Sequence, residues 1–152
     1  MAKPRTRYII GVDLGGTNIV VGAMPEDGSR ELGVRSEPTR PEGGAEPVVD
    51  RIVSLISEVI SHVEKSDGAE RQDFLGVGVG APGPLDRERG VVVVAPNLGW
   101  RDFPLRDAIF DRINLPVTLD NDANCATVGE WWRGAARNAR NVVGITIGTG
   151  IG

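Results

Sequence analysis

The sequence predicts an α/β lobe in which a mixed β-sheet is flanked by helices, and three observations carry that prediction. Two short β-branched runs, residues 8–12 and 19–23, are joined by the glycine turn Asp13-Leu14-Gly15-Gly16-Thr17, as in a hairpin. Further on, apolar runs at 74–80, 116–119 and 141–147 read as strands. They alternate with helical patterns at 45–63, 105–113 and from the 119–130 stretch to about Arg133. A hairpin followed by strand–helix alternation predicts antiparallel pairing first and parallel pairing later, within one sheet.

Each element has its own local cause. After the turn at Gly28, residues 31–37 supply a third strand and 38–47 a loop. From Ala45 the period changes. Val48, Val49, Ile52, Leu55, Ile56, Val59, Ile60 and Val63 recur on one side of a 3.6-residue helix. His62 lies in that helix and is expected at its surface. The strand at 74–80 stops at Ala81-Pro82-Gly83-Pro84, and 91–94 forms a small strand before Pro96-Asn97. The last helix carries an apolar stripe, Cys125, Val128 and Trp132, expected in the core. The final strand, 141–147, runs into Gly148-Thr149-Gly150, has no hairpin partner, and is expected to promote self-association. Residues 134–140 form the only plausible interdomain joint, dividing a lobe at 1–136 from the start of a second at 137–152.

Composition narrows the function. The 152 residues suffice for one ordinary domain with a sizeable core. A net charge of -4 leaves no excess of Lys or Arg for nucleic-acid phosphates. Arg133, Arg137 and Arg140 read as a solvated helix end. One cysteine and one histidine exclude an internal disulfide and a structural zinc site made from Cys and His. The apolar run at the N-terminus is too short for a signal peptide, and no run is long enough for a membrane span. These features predict a cytoplasmic protein with neither membrane nor nucleic-acid partners.

The motifs discriminate further. Gly78-Val79-Gly80-Ala81-Pro82-Gly83 spells a dinucleotide fingerprint, but Pro82 and Pro84 oppose the helix that would have to open there. No Gly-Lys-Ser or Gly-Lys-Thr is present to make a Walker loop. Leu119-Asp120-Asn121-Asp122-Ala123-Asn124 resembles a calcium loop, yet from Asp120 the required Gly and Glu positions hold Cys125 and Trp131. Asn121 or Asp122 can instead cap a helix. A cap accounts for one polar residue, not for Asp-Asn-Asp after a buried strand. A carboxylate at such a strand end can take a proton from a substrate hydroxyl. In the first turn, glycine permits close approach, backbone amides and Thr17 can bond phosphate oxygens, and Asp13 can hold Mg²⁺ directly or through water. Gly148-Thr149-Gly150 offers a second such cradle. Two phosphate turns and one base point to phosphoryl transfer.

With these residues in hand, the chain resembles the N-terminal half of a ROK-family sugar kinase (repressors, uncharacterised frames and kinases), nearest its bacterial glucokinases. The resemblance rests on five motifs in order. They are Gly11-Val12-Asp13-Leu14-Gly15-Gly16-Thr17, Gly78-Val79-Gly80-Ala81-Pro82-Gly83, Pro96-Asn97-Leu98-Gly99-Trp100, Asp120-Asn121-Asp122-Ala123-Asn124, and Gly148-Thr149-Gly150-Ile151-Gly152. It implies an actin-like (ribonuclease H-like) ATPase fold of two lobes with the second truncated, ATP and Mg²⁺ as cofactors, and a homodimer at full length. It also implies site residues. Asp122 is the general base, Asn121 and Asn97 bind sugar hydroxyls, and Gly83 lines the sugar loop. Asp13, Gly15, Gly16, Thr17, Thr149 and Gly150 face the phosphates, with Asp13 toward Mg²⁺. Glu130 belongs to the pattern in a structural role.

Members of the family also carry a Glu-x-Gly-His sugar motif, a cysteine-rich zinc motif and an adenosine-binding lobe, none of which occurs here. The expectation is therefore that this chain is a truncated form, without the zinc ligands and with little or no activity alone. The expected reaction is phosphorylation of a hexose, foremost glucose. N-acetylmannosamine, N-acetylglucosamine and fructose are alternatives, as is polyphosphate for ATP as donor. The competing expectation is a non-catalytic sugar-binding regulator. A repressor needs a DNA-binding helix-turn-helix, and the residues before Tyr8 are too few to form one.

Overall fold

A computed structural model describes residues 5–147. Its main sheet has five strands in the order β3-β2-β1-β4-β8. β1 (Tyr8–Leu14), β2 (Asn18–Pro25) and β3 (Leu32–Pro38) form an antiparallel meander. β4 (Phe74–Ala81) pairs in parallel with β1, and β8 (Val117–Asn121) pairs in parallel with β4. The expected mixed sheet is thus present, with its antiparallel half first.

The helices follow the pattern of apolar residues. α1 (Ala45–Asp67) buries all eight residues of the stripe read from its period. It packs on β2 and β3 and against α2 (Leu105–Ile113), which also lies on β8. In β1, Tyr8, Ile10, Val12 and Leu14 face this layer, while the alternate residues face the other side. Each large aliphatic side chain buried this way contributes about 1.5–3 kcal/mol, and so α1 dominates the core. Gly68 ends α1 in the left-handed region at φ 68° and returns its amide to the Glu64 carbonyl, 3.1 Å away.

A second, three-stranded sheet stands beside the first. β5 (Leu85–Asp86), β6 (Val91–Ala95) and β7 (Trp100–Phe103) pair antiparallel in that order. Residues 91–94 were expected to be a strand, whereas β5 and β7 were not anticipated. They are too short for a readable alternation and exist through their pairing with β6.

Three expectations need correction. The loop read at 38–47 holds a 3₁₀ turn, Pro41–Gly43, and the first residues of α1, because Pro41 and Pro47 both fit first-turn helical positions. His62 lies at the helix surface as expected, half-covered where Gly33 brings the β3 backbone against its ring. The stripe of Cys125, Val128 and Trp132 is not core. α3 (Asp122–Arg133) has no buried residue, and Val128 is 58% exposed. The helix starts at β8, and its far end reaches the Gly28 turn through Trp132 and Arg133. Between them α3 bridges a cavity instead of seating on side chains. Finally, the strand expected at 141–147 does not form; among the described residues only Ile147 makes a single bridge. A strand needs a neighbour's amides and carbonyls. This segment passes α3 at Thr127 instead, leaving Val143, Ile145 and Ile147 exposed.

Candidate active site

The C-terminal ends of β1, β4 and β8 meet at one edge of the main sheet. β1 enters the turn at Gly15, which is closed by a bond from the Gly15 amide to the Asn18 carbonyl at 2.9 Å. Thr39 locks the turn from behind. Its hydroxyl donates to the Gly15 carbonyl at 2.7 Å and its amide to the Thr17 carbonyl at 2.8 Å. Thr39 is fully buried, a polar residue with both bonds directed at this turn. Its place in a loop between proline and arginine gave no signal in the sequence. Thr17 is left exposed at the turn's surface.

Gly16 lies directly against Asn97 of the 3₁₀ turn Pro96–Leu98, where a Cβ would stand 3.0 Å from the Asn97 Cβ. The turn expected to face phosphates and the residue expected to bind sugar therefore touch. Gly83 and Asn121 form a second pair, the Asn121 amide donating to the Gly83 carbonyl at 3.3 Å.

At the end of β8, Asn121 caps α3. Its side-chain oxygen accepts from the amides of Ala123 at 3.0 Å and Asn124 at 3.3 Å. This frees Asp122 from capping duty and sets it as the first helical residue, one oxygen accepting the Ala123 amide at 2.8 Å. A carboxylate in that position is favoured by the helix dipole. Glu130 has the structural role expected of it. Its carboxylate accepts the Ala135 amide at 2.8 Å, just past the helix end.

Asp13 and Asp122 line one cavity of about 760 Å³ between α3 and the sheet, together with Asp120 and Cys125. Its floor is the open face of the sheet, bare at Gly11, Gly22 and Gly78. Asp13 stays open to solvent, but the cavity walls partly desolvate its carboxyl and raise it above its ordinary range, and repulsion from Asp122 adds to the shift. Asp120 behaves oppositely. Desolvation pushes it up, but hydrogen bonds from Asn124, the Asn121 amide and Arg87 outweigh that and hold it low. Cys125 is exposed, yet partial desolvation and then the three neighbouring aspartates push its thiol up, which disfavours the thiolate.

Among the described residues, no three His, Cys, Asp or Glu side chains cluster into a metal cage. Mg²⁺ does not need one; it is held by one or two carboxylates plus substrate phosphates. Asp13, without a salt-bridge partner among the described residues and facing the cavity, fits that donor set. The structure therefore brings together Asp13 with Asp122, Gly16 with Asn97, and Gly83 with Asn121. Thr149 and Gly150 lie outside the described residues.

Asp13 gives a stability prediction with a definite sign. A carboxyl raised in the folded state binds its proton more tightly there than when unfolded. Its contribution is favourable below the ordinary carboxylate range and is lost as pH rises through the folded value. At neutral pH the charged Asp13 therefore opposes folding. Asp13→Asn is expected to melt at a higher temperature than the wild type near pH 7, with the advantage shrinking toward about pH 4. Thermal unfolding of both proteins across that range checks it, and a lower melting temperature at neutral pH would contradict the electrostatics.

Residues 9–152 match the ROK family. The chain belongs to the ROK family. It is 44% identical over 145 residues to a glucokinase of Thermotoga maritima, covering 95% of this chain and 43% of that protein. The chain thus spans less than half the length of the curated glucokinase it matches. It superposes with a TM-score of 0.82 on the ROK glucokinase of Streptomyces griseus, solved with glucose and AMPPNP. That match has 40% identity and covers 95% of this chain and 43% of the other. The xylose repressor of Bacillus subtilis is 31% identical over 151 residues, covering 95% of this chain and 36% of the repressor. The ROK lobe seen here is thus an actin-like ATPase lobe, shared by sugar kinases and by regulators. Among the described residues, no helix is long and apolar enough to cross a membrane.

Proposed function

We propose that the protein containing this lobe phosphorylates a hexose with ATP, converting glucose to glucose 6-phosphate. The observation that carries the reading is the meeting of Asp122, the first residue of α3, and Asp13, near the end of β1, in one cavity. Likeness to a glucokinase solved with glucose and AMPPNP supports it.

On this reading Asp122 accepts the proton of the sugar's attacking hydroxyl as the new oxygen–phosphorus bond forms. The bond between the γ-phosphorus and its bridging oxygen breaks, and ADP leaves. Asn121 and Asn97 hold further hydroxyls of the sugar, and Gly83 shapes the loop around it. The turn offers the Gly16 and Thr17 amides and the Thr17 hydroxyl to the phosphate oxygens, joined by Thr149 and Gly150, while Gly15, its amide held by the Asn18 carbonyl, keeps the turn closed. Mg²⁺, when bound, would neutralise charge on the phosphates, and Asp13 would hold it, directly or through water. The contact between Gly16 and Asn97 ties the phosphate turn to the sugar contacts, so a bound nucleotide and a bound sugar bear on the same pair of residues. The full-length protein is proposed to act as a homodimer in the cytoplasm.

A second reading is a sugar-sensing regulator, favoured by the likeness to the xylose repressor. A panel of glucose, fructose, N-acetylmannosamine, N-acetylglucosamine and xylose, each tested with ATP and Mg²⁺, separates the two. We expect transfer with the highest kcat/KM for glucose. Sugar binding without transfer to any of the five would leave the regulator as the better account.

A further inference from the structure

We propose that Arg87 is a positioning residue for the sugar-binding turn, anchoring Asp120 and through it fixing Asn121 and the entry into α3. The proposal rests on the kinase reading for its effect on catalysis. Its structural basis is independent of that reading.

Arg87 sits in the turn between β5 and β6, and its guanidinium meets the second Asp120 oxygen, Oδ2, at 2.9 Å. The other oxygen, Oδ1, accepts the Asn121 amide at 2.7 Å and the Asn124 side-chain amide at 3.0 Å. Asp120 therefore has both oxygens engaged, one toward the small sheet and one toward the turn that carries Asn121 and Asp122. Asn121 makes a parallel link, donating to the Gly83 carbonyl at 3.3 Å. These two contacts tie the small sheet to the end of β8.

The turn that presents Arg87 is itself held. The Asp86 carboxylate accepts the Arg89 amide at 2.9 Å. Arg106 of α2 grips the turn from below, its guanidinium donating to the Glu88 carbonyl at 2.8 Å and its amide to the Gly90 carbonyl at 3.1 Å. Arg87 thus projects from a fixed base.

There is also an electrostatic consequence. Asp13, Asp120 and Asp122 line the same cavity. Among the described residues, Arg87 is the cation paired with this group. By neutralising Asp120 it leaves Asp13 and Asp122 as the free carboxylates. The contact uses one nitrogen of Arg87, so a lysine can replace it in part.

The test uses wild type, Arg87→Ala and Arg87→Lys, with two readouts on the protein containing this lobe. Steady-state kinetics should show the hexose KM of Arg87→Ala raised about fivefold, the upper end of what an exposed ion pair contributes. The KM for ATP should be unchanged, and Arg87→Lys should recover most of the loss. In parallel, the backbone amide of Asn121 and the side-chain amide of Asn124 should shift in the NMR spectrum of Arg87→Ala and move back in Arg87→Lys. Wild-type resonances and hexose KM in Arg87→Ala would overturn the proposal. So would equal losses for hexose and ATP, or no recovery with lysine, since these mark a general structural role. If the wild type transfers no phosphate, the kinase reading fails on its own, and the two resonances still decide the role of Arg87.

Discussion

Asp122→Asn is expected to lower phosphoryl transfer by about 10²–10⁴-fold while leaving the fold and hexose binding intact. The substitution preserves shape, and the amide oxygen can still accept the Ala123 amide that Asp122 Oδ1 accepts at 2.8 Å. It removes the basic oxygen that takes the hydroxyl proton. Because Asn121, not Asp122, is the helix cap, α3 keeps its N-terminus. Steady-state rates with the preferred hexose, beside calorimetric binding of the same sugar, separate chemistry from affinity. A fall in rate of less than tenfold would exclude Asp122 as the general base.

Gly83→Ala should destabilise the lobe by about 3 kcal/mol, from left-handed backbone strain and forced displacement of its neighbours. Gly83 has φ 86°, and a Cβ there would stand 2.1 Å from the Val94 carbonyl oxygen. That oxygen belongs to β6, so relief requires the small sheet to move. Movement also breaks the bond from Asn121 to the Gly83 carbonyl, and the hexose KM should rise with the loss of stability. Denaturant unfolding of the variant measures the first effect. A change within about 0.5 kcal/mol, the range of an ordinary surface substitution, would show that the loop absorbs the side chain.

The parts of the fold governed by local pattern were legible from the residues alone. The eight apolar positions of α1 repeat every three or four residues, and each is buried. The bounds of α2 coincide with the helical pattern read at 105–113, because Pro104 and Asn114 bracket it. The cap at Asn121 follows from its place between a strand and a helix. What periodicity does not carry is the identity of the covering layer. Cys125, Val128 and Trp132 make an apolar stripe, and the stripe proved to bridge a cavity. Residues 141–147 have the composition of a strand, but a strand forms only where a neighbour pairs with it.

The site divides in the same way. Glycine and aspartate at strand ends marked the turns, whereas the contacts between turns come from folding. Nothing local predicts that Thr39 locks the Gly15 turn, that Gly16 abuts Asn97, or that Arg87 reaches Asp120 from 33 residues away. Each of these pairs unites segments distant in the chain, and the sheet order alone brings them together.

The most direct test of the central claim is ³¹P NMR of the protein containing this lobe, with ATP, Mg²⁺ and glucose. The account predicts a growing glucose 6-phosphate resonance matched by ADP, and its loss in Asp122→Asn. ATP consumed with inorganic phosphate as the only product, or a phosphosugar formed equally by Asp122→Asn, would contradict it.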